Sequence, residues 1–473
     1  MRKLFAILTL GIALLCLSIP AFSAVRLPAL ISDNMVLQQG RQASVWGWAD
    51  KGELITVSLG EQKYTVKAGE DGRWKVILKK LKPGKTLEMN VKGSSGNSIS
   101  VKNILVGEVW ICSGQSNMQW TFWKGHGVIN NETELANANY TDIRIFTVVK
   151  GGAPEPAEDT KGAWLTISRE NLLVGGEQGA SVLAYFFGRD LYKQLNVPVG
   201  LINTSVGGTP AEKWTKREVL EANPELKKLA GKGGASTLYN AMIAPLIPYT
   251  IRGAIWYQGE SNLDRAYQYR TLFPAMIASW RSDWKQGNFP FGFVQIAPYR
   301  YKGQNPENYP ELCEAQTMTL KSSPKTGMAV TADIGDVTNI HPRNKQEVGR
   351  RLALWAMAKV YGSRKLVYSG PIYKSMKIKG NQIALNFDYC GGGLTSGNGK
   401  ALTEFTIAGS DKVFIPAKAE IVGNKVIVSA DKIANPVAVR YAWHDDAQPN
   451  LANKEGLPSS LFRTDSWKGV TEK

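Results

Sequence analysis

The sequence predicts an α/β fold, a mostly parallel sheet covered by helices and flanked on both sides by β-rich regions. Three observations carry this expectation. Between residues 105 and 362, short buried runs alternate with amphipathic stretches, the pattern of a parallel sheet with helices on both faces. Upstream of that, residues 25–104 show alternating runs broken by Gly60-Glu61, Glu70-Asp71-Gly72 and Lys82-Pro83-Gly84, the spacing of a small β-sandwich. From residue 363 onward the alternating pattern returns.

The elements follow in chain order. Met1-Arg2-Lys3, an apolar run over 4–19 and the small residues around Ser23-Ala24 read as a signal peptide over 1–23, cleaved after Ser23. That places the mature protein in the periplasm or outside the cell. Leu14-Leu15 ahead of Cys16 lack the small residue of a lipid-attachment site, and no later apolar run approaches the roughly 20 residues that span a bilayer. Residues 24–104 form the N-terminal β-sandwich domain, with its clearest strands at 43–48, 54–59 and 74–78. The central domain, 105–362, has expected strands at 105–112, 199–204, 253–257, 291–296 and 328–332. Helices are expected at 181–195, 265–284, 312–322 and 345–361. The C-terminal β-rich domain, 363–473, includes strands at 375–378, 383–387 and 425–428. A chain of 473 residues is too long for one compact core, which agrees with several domains.

Composition narrows the function. The net charge is +17, but Lys and Arg are scattered, no nucleic-acid-binding motif is present and an exported protein rarely meets nucleic acid. Solvated surface charge, compatible with acidic glycans, is the simpler reading. The three cysteines beyond the leader, Cys112, Cys313 and Cys390, make neither a disulfide framework nor a zinc-ligand spacing.

Chemistry concentrates at the ends of the central strands. An apolar run over 104–112, interrupted only by Glu108, empties into Ser113-Gly114-Gln115-Ser116-Asn117-Met118. This reads as a buried strand, a sharp turn and a helix start, with Ser116 where open α/β sheets place their chemistry. The plainer alternative is a helix N-cap serine. A serine nucleophile needs a base, and only three histidines exist: His126, His341 and His444. His341 follows the strand at 328–332 and precedes the helix at 345–361, so it leaves the same sheet edge as Ser116. Asn203-Thr204-Ser205-Val206-Gly207-Gly208-Thr209 and Trp256-Tyr257-Gln258-Gly259-Glu260-Ser261-Asn262 end two further strands there. They offer close backbone approach and neutral amides, the groups that stabilise an oxyanion without titrating. Ser261 is a rival nucleophile, but its segment lacks the second Gly of a hydrolase elbow.

Gly114-Gln115-Ser116-Asn117-Met118, Val206-Gly207-Gly208-Thr209, the segment 256–262 and Ile340-His341-Pro342-Arg343, taken together and in this order, resemble the sialate O-acetylesterase group of SGNH hydrolases. The closing Phe462-Arg463-Thr464-Asp465-Ser466-Trp467 is similar to that group's tail. The resemblance implies a flavodoxin-like catalytic domain flanked by β modules, and carbohydrate O-deacetylation with no metal or other cofactor. It implies Ser116 as nucleophile and His341 as base. Oxyanion donors would be the Ser116 N–H, an N–H at Gly207 or Gly208, and an amide from Gln258 or Asn262. Many SGNH enzymes carry an Asp three residues before the His; here that position is Thr338. Asp336 is the expected orienter of His341, with Asp333 or a backbone carbonyl as alternatives.

The expected function is therefore removal of acetyl groups from sialic acid by a Ser–His acyl-enzyme route. Acetyl xylan or xyloglucan is the alternative substrate. With an unperturbed His341, activity would fall on the acid side at roughly pH 6–7. A lipid or thioester hydrolase would share the catalytic residues. A non-catalytic glycan-binding protein, suggested by 14 Trp and two β regions, gives no reason for Ser116 and His341 to share a sheet edge.

Overall fold

A computed structural model describes residues 25–123, 126–176 and 179–472; the segment read as a signal peptide, 1–23, lies outside them. Seven strands open the described residues: β1 (Val36–Gln38), β2 (Ala43–Trp48), β3 (Leu54–Leu59), β4 (Gln62–Lys67), β5 (Arg73–Leu78), β6 (Leu87–Gly93) and β7 (Ser98–Gly114). β2 and β5 make an antiparallel ladder, while β4, β3, β6 and the first part of β7 make a second antiparallel sheet. β5 shows the clean alternation of a half-buried strand, with Trp74, Val76 and Leu78 turned inward.

β7 does not stop where the sandwich ends. It pairs antiparallel with β6 as far as Ile104, then parallel with β1 from Leu105. Beyond that it becomes the middle of the central sheet, with β8 (Asn139–Thr147), β9 (Trp164–Ser168), β10 (Val199–Ser205), β11 (Gly253–Tyr257), β12 (Phe291–Val294) and β13 (Thr326–Ala329). The order is β13-β12-β11-β7-β10-β8-β9. All these pairings are parallel except β8 with β9, so the sheet is mixed. β8 and β9 are absent from the sequence reading. β8 buries only its second half, and β9 buries only Trp164 and Ile167, so neither shows the continuous apolar run or clean alternation that marks a strand.

Five helices position the site: α1 (Ser116–Gln119), α2 (Val182–Leu195), α3 (Ala266–Trp284), α4 (Asn308–Ser322) and α5 (Lys345–Lys359). Trp110 on β7 meets Phe187 of α2 at 5.1 Å and Trp355 of α5 at 6.2 Å. Trp256 on β11 meets Phe273 and Trp280 of α3 at 6.4 and 5.8 Å. Trp110 is in register with Gly253, so three residues on, Trp256 faces the other way and the two helix layers cover opposite faces. α4 starts earlier than the sequence pattern suggests, because Pro310 falls in its first turn, where a missing N–H costs nothing. β13 overlaps the expected strand at 328–332 but stops at Ala329; Thr331 leaves the ladder and donates its hydroxyl to Gln295 O at 2.7 Å.

Glu108, the one charge in the apolar run, is fully buried. Arg252 grips it in a bidentate pair at 2.6 and 2.8 Å, and Gln39 and Tyr361 donate at 2.6 and 2.9 Å. The pairing offsets a desolvation that an isolated carboxylate could not bear.

The last quarter of the described residues forms three antiparallel units. One sheet joins Ile372–Lys379, Gln382–Asp388, Lys425–Ser429 and Lys418–Val422; another joins Phe414–Pro416, Phe405–Ala408, Ala438–Tyr441 and Phe462–Arg463. Leu394–Ser396 pairs with Leu451–Asn453. This region touches the central one through Asp445, which accepts from Tyr301 N at 2.7 Å, and Asp446, which accepts from Arg300 at 2.8 Å. Among the described residues, no helix is long and apolar enough to cross a membrane.

Candidate active site

At the carboxyl end of β7 the chain must turn sharply into α1. Gly114 makes this possible: its φ is +142°, and a Cβ there would sit 2.1 Å from Tyr257 O. Gln115 N then donates to that same Tyr257 O at 2.9 Å. Ser116 opens α1, so its N–H lies in the first turn, where backbone donors have no helical acceptor.

Ser116 Oγ and His341 Nε2 are 2.8 Å apart. His341 comes from the loop between β13 and α5, and its backbone N–H donates to Asn339 Oδ1 at 2.9 Å. The imidazole stacks on Trp120 at 4.7 Å with planes 23° apart, and Trp120 stacks in turn on His126 at 4.1 Å and 15°. Trp120 is anchored by its indole N–H, which donates to Gly127 O at 2.8 Å. Burial, then the charges of Lys345 and His126, pull the His341 pKa down to about 4. The acid-side fall expected near pH 6–7 assumed an unperturbed imidazole, and this one is perturbed downward.

No carboxylate of the described residues is hydrogen-bonded to the His341 ring. Asp336, the expected orienter, is exposed and turned to its own loop, accepting from Thr338 N and Oγ1 at 2.9 and 2.6 Å. Those bonds hold its carboxyl below the usual range. Asp333 is held bidentate by Arg351 at 2.7 Å on each oxygen. The structure thus brings Ser116 and His341 together and leaves Asp336 apart.

The oxyanion candidates divide similarly. Gly207 packs against the nucleophile turn, since a Cβ on it would lie 3.3 Å from Ser116 Cβ. Its N–H donates to Gln119 Oε1 at 2.7 Å, so an amide oxygen sits where a substrate oxygen could. Gly208, at φ +70°, faces open space. Gln258 and Asn262 are both buried and engaged elsewhere. Gln258 Nε2 donates to Asn262 Oδ1 at 2.7 Å and Thr209 O at 3.2 Å, and Tyr269 OH donates to Gln258 Oε1 at 2.9 Å. Asn262 Oδ1 also accepts from Ala211 N at 2.9 Å, and its Nδ2 donates to Glu212 at 3.0 Å. These amides staple the loop carrying Gly207 to the end of β11; they do not point at Ser116 in this arrangement.

Behind the pair lies a group of residues the sequence reading missed. Asn117 Nδ2 donates to Glu260 Oε1 at 2.7 Å and to Ile340 O at 3.1 Å, and Lys345 Nζ donates to Asn117 Oδ1 at 2.5 Å. Burial pulls Lys345 down to about 7 and pushes Glu260 up. Asn117 and Glu260 lie inside the quoted motifs and Lys345 four residues past His341, but nothing in their type singles them out. Of the other candidates, His444 is held between Glu404 and Asp446 at 2.8 Å each, far along the chain in the C-terminal region. A cleft of about 1070 Å³, lined by Trp46, Trp48, Lys75, Pro245 and Trp284 among others, contains none of the residues predicted for the site.

Residues 106–358 match the family described as carbohydrate esterase, sialic acid-specific acetylesterase. The chain is 34% identical over 429 residues to a sialate O-acetylesterase from Rattus norvegicus, covering 77% of this chain and 79% of that one. It is 33% identical over 460 residues to the Homo sapiens sialate O-acetylesterase, covering 88% and 87%. The solved structure of a carbohydrate acetylesterase from Xanthomonas citri superposes with a TM-score of 0.87 at 38% identity, covering 94% of this chain and all of that one.

Proposed function

The chain belongs to the sialic acid-specific acetylesterase family of carbohydrate esterases, and we propose that Ser116 and His341 carry its chemistry on O-acetylated sialic acid. It is a carbohydrate O-acetylesterase, a hydrolase of carboxylic esters. The observation that carries the mechanism is the 2.8 Å contact between Ser116 Oγ and a His341 ring kept neutral at physiological pH.

His341 Nε2 takes the Ser116 proton as Oγ attacks the acetyl carbonyl carbon. The carbonyl oxygen becomes an oxyanion, held by the Ser116 N–H and by the Gly207 N–H once Gln119 Oε1 gives way. The C–O bond to the sugar then breaks, and the sugar oxygen leaves with the proton from His341. Water, deprotonated by His341, attacks acetyl-Ser116; acetate departs and Ser116 regains its proton. Gln258 and Asn262 act behind this step, by fixing the loop that presents Gly207.

The SGNH reading is supported by where the four segments emerge. Ser116 follows β7, Gly207 follows β10, Asn262 follows β11 and His341 follows β13, all at carboxyl ends of parallel strands, where such sheets build sites. The proposed location is periplasmic or extracellular, resting on the leader-like residues 1–23.

Acetate release from O-acetylated sialic acid by the protein and its Ser116→Ala variant tests this reading. Release that disappears in the variant is expected. If the parent protein releases acetate only from acetylated xylan or xyloglucan, the substrate is a plant glycan. A variant as active as its parent would discard Ser116.

A further inference from the structure

The imidazole of His341 has no carboxylate partner among the described residues, yet it stands within hydrogen-bond reach of Ser116. We propose that Asn117, with Lys345 and Glu260 behind it, is the positioning residue that does the orienting work of a triad acid, clamping the chain on both sides of His341 to the turn that carries the nucleophile. This rests on reading Ser116 and His341 as nucleophile and base.

Asn117 is the residue after Ser116, and it is fully buried. Its Nδ2 donates to the carbonyl of Ile340, the residue before His341, at 3.1 Å. Its Oδ1 accepts from Lys345, four residues after His341, at 2.5 Å. One amide therefore holds both ends of the 340–345 segment, and its own backbone adjoins Ser116. Sliding the base away from the nucleophile stretches one of these two bonds. The position demands a donor and an acceptor in one planar group, which an amide supplies and a carboxylate or an alkyl side chain does not.

Glu260 completes the clamp. Its Oε1 accepts the other bond from Asn117 Nδ2 at 2.7 Å, which fixes the plane of the amide. Its Oε2 is buried without a hydrogen bond. The Lys345 ammonium is itself buried, 5.5 Å from the Tyr257 ring centroid and 5.8 Å from that of Trp120. An ammonium and a carboxylate thus sit at opposite ends of one amide, so each supplies the countercharge that lets the other be buried. Among the described residues, the charged and titratable groups facing His341 are Lys345 from α5 and His126 from across Trp120; those facing Lys345 are His341, Glu260 just past β11 and the Tyr257 ring.

This arrangement does only half of what a triad carboxylate does. A carboxylate orients the imidazole and stabilises its charged form. The Asn117 clamp orients the loop, while the nearby Lys345 charge opposes protonation of the ring. The gain is positional, and misplacement by about 1 Å can cost on the order of 100-fold in rate.

The test uses full-length protein with 4-nitrophenyl acetate for kcat and KM, and diisopropyl fluorophosphate for the rate of Ser116 modification. Asn117→Ala should lower kcat by roughly 100-fold, with KM changed less than about threefold and labelling slowed in parallel. Lys345→Gln keeps a donor toward Asn117 but removes the charge. It should keep kcat within about tenfold and move the acid limb of the pH profile upward by roughly one unit. A purely structural Lys345 would not move that limb. If Asn117→Ala fails to fold, as a melting curve would show, the Lys345→Gln profile decides. The inference is overturned by a folded Asn117→Ala within threefold of the parent kcat, or by an unmoved limb in Lys345→Gln. Absence of label on Ser116 in the parent protein overturns the nucleophile reading itself, and this inference with it.

Discussion

Trp120→Ala is the most discriminating change available near the base. The indole covers one face of His341 at 4.7 Å and separates it from His126, stacked at 4.1 Å on the other side. Burial is the first cause of the His341 shift from 6.5 down to about 4, ahead of the Lys345 and His126 charges. Removing the indole admits water to the ring and returns its pKa toward 6.5. At pH 5.5 the neutral fraction is ~97% for a pKa of 4 and ~9% for one of 6.5. Relative to its own plateau near pH 8, kcat/KM of the parent should therefore be almost undiminished at pH 5.5. That of the variant should fall by up to about tenfold. The limb position is read independently of any change in the plateau itself. Stability has the matching sign. Because the folded pKa lies below the unfolded one, the unfolded chain binds more protons between about 4 and 6.5. The parent thus loses stability as pH falls through that window. The assay is kcat/KM for a small acetyl ester across pH 4–9 at constant ionic strength. A parent limb at pH 6–7, or limbs that coincide in the two proteins, would refute the argument.

Asp336→Ala should leave kcat/KM within about twofold, since the carboxylate is exposed and bonds Thr338 rather than His341; a loss of 100-fold or more would restore it as the orienter. Gln258→Leu should cost about 1–3 kcal/mol for each buried partner left unsatisfied, at Thr209 O, Asn262 and Tyr269 OH. Denaturant melts measure that loss, and an unchanged midpoint with kcat down on the order of 100-fold would mark Gln258 as a direct oxyanion donor instead. Glu108→Leu should destabilise by about 3–5 kcal/mol, because it strands the Arg252 guanidinium. Adding Arg252→Leu should recover part of that, and a double variant less stable than either single would contradict the ion-pair account.

The skeleton was legible because its periods are strong. The strand at 253–257 coincides with β11, and the helix at 265–284 differs from α3 by one residue. Edge elements were not legible: β8 leads with Asn139-Tyr140-Thr141-Asp142, whose burial alternates weakly. At the site, residue type pointed to Ser116 and His341 because few side chains can do their chemistry and only three histidines exist. It failed to rank the amides, since an amide serves a loop as well as it serves an oxyanion. Gln258 and Asn262 hold backbone, whereas Asn117, quoted only as part of a motif, bridges the two catalytic segments. The acid could not be found by spacing along the chain, because Asp336 and Asp333 spend their oxygens on Thr338 and Arg351.

The continuity of β7 bears on whether the central region can stand without the N-terminal strands. A boundary between residues 104 and 105 would cut this strand of 17 residues through its interior. Val36, Leu37 and Gln38 pair with Leu105, Val106 and Gly107, so removing residues 24–104 strips β7 of β1 just before it enters the central sheet. The same cut removes Gln38 and Gln39 from the buried Glu108 carboxylate, and the acceptor that Val109 N finds in Gln38 Oε1 at 2.8 Å. Tyr249, fully buried, loses Val36 O as the acceptor for its hydroxyl at 2.7 Å. Val109 N and the Tyr249 hydroxyl, left without these acceptors, cost about 1–3 kcal/mol each. With the β1 ladder lost as well, this is a large part of the stability of a typical domain, about 5–15 kcal/mol. A protein beginning at Leu105 should therefore show no cooperative unfolding transition and no esterase activity. Recovery of a soluble fragment with the parent kcat would mean that β7 carries its load within the central sheet alone.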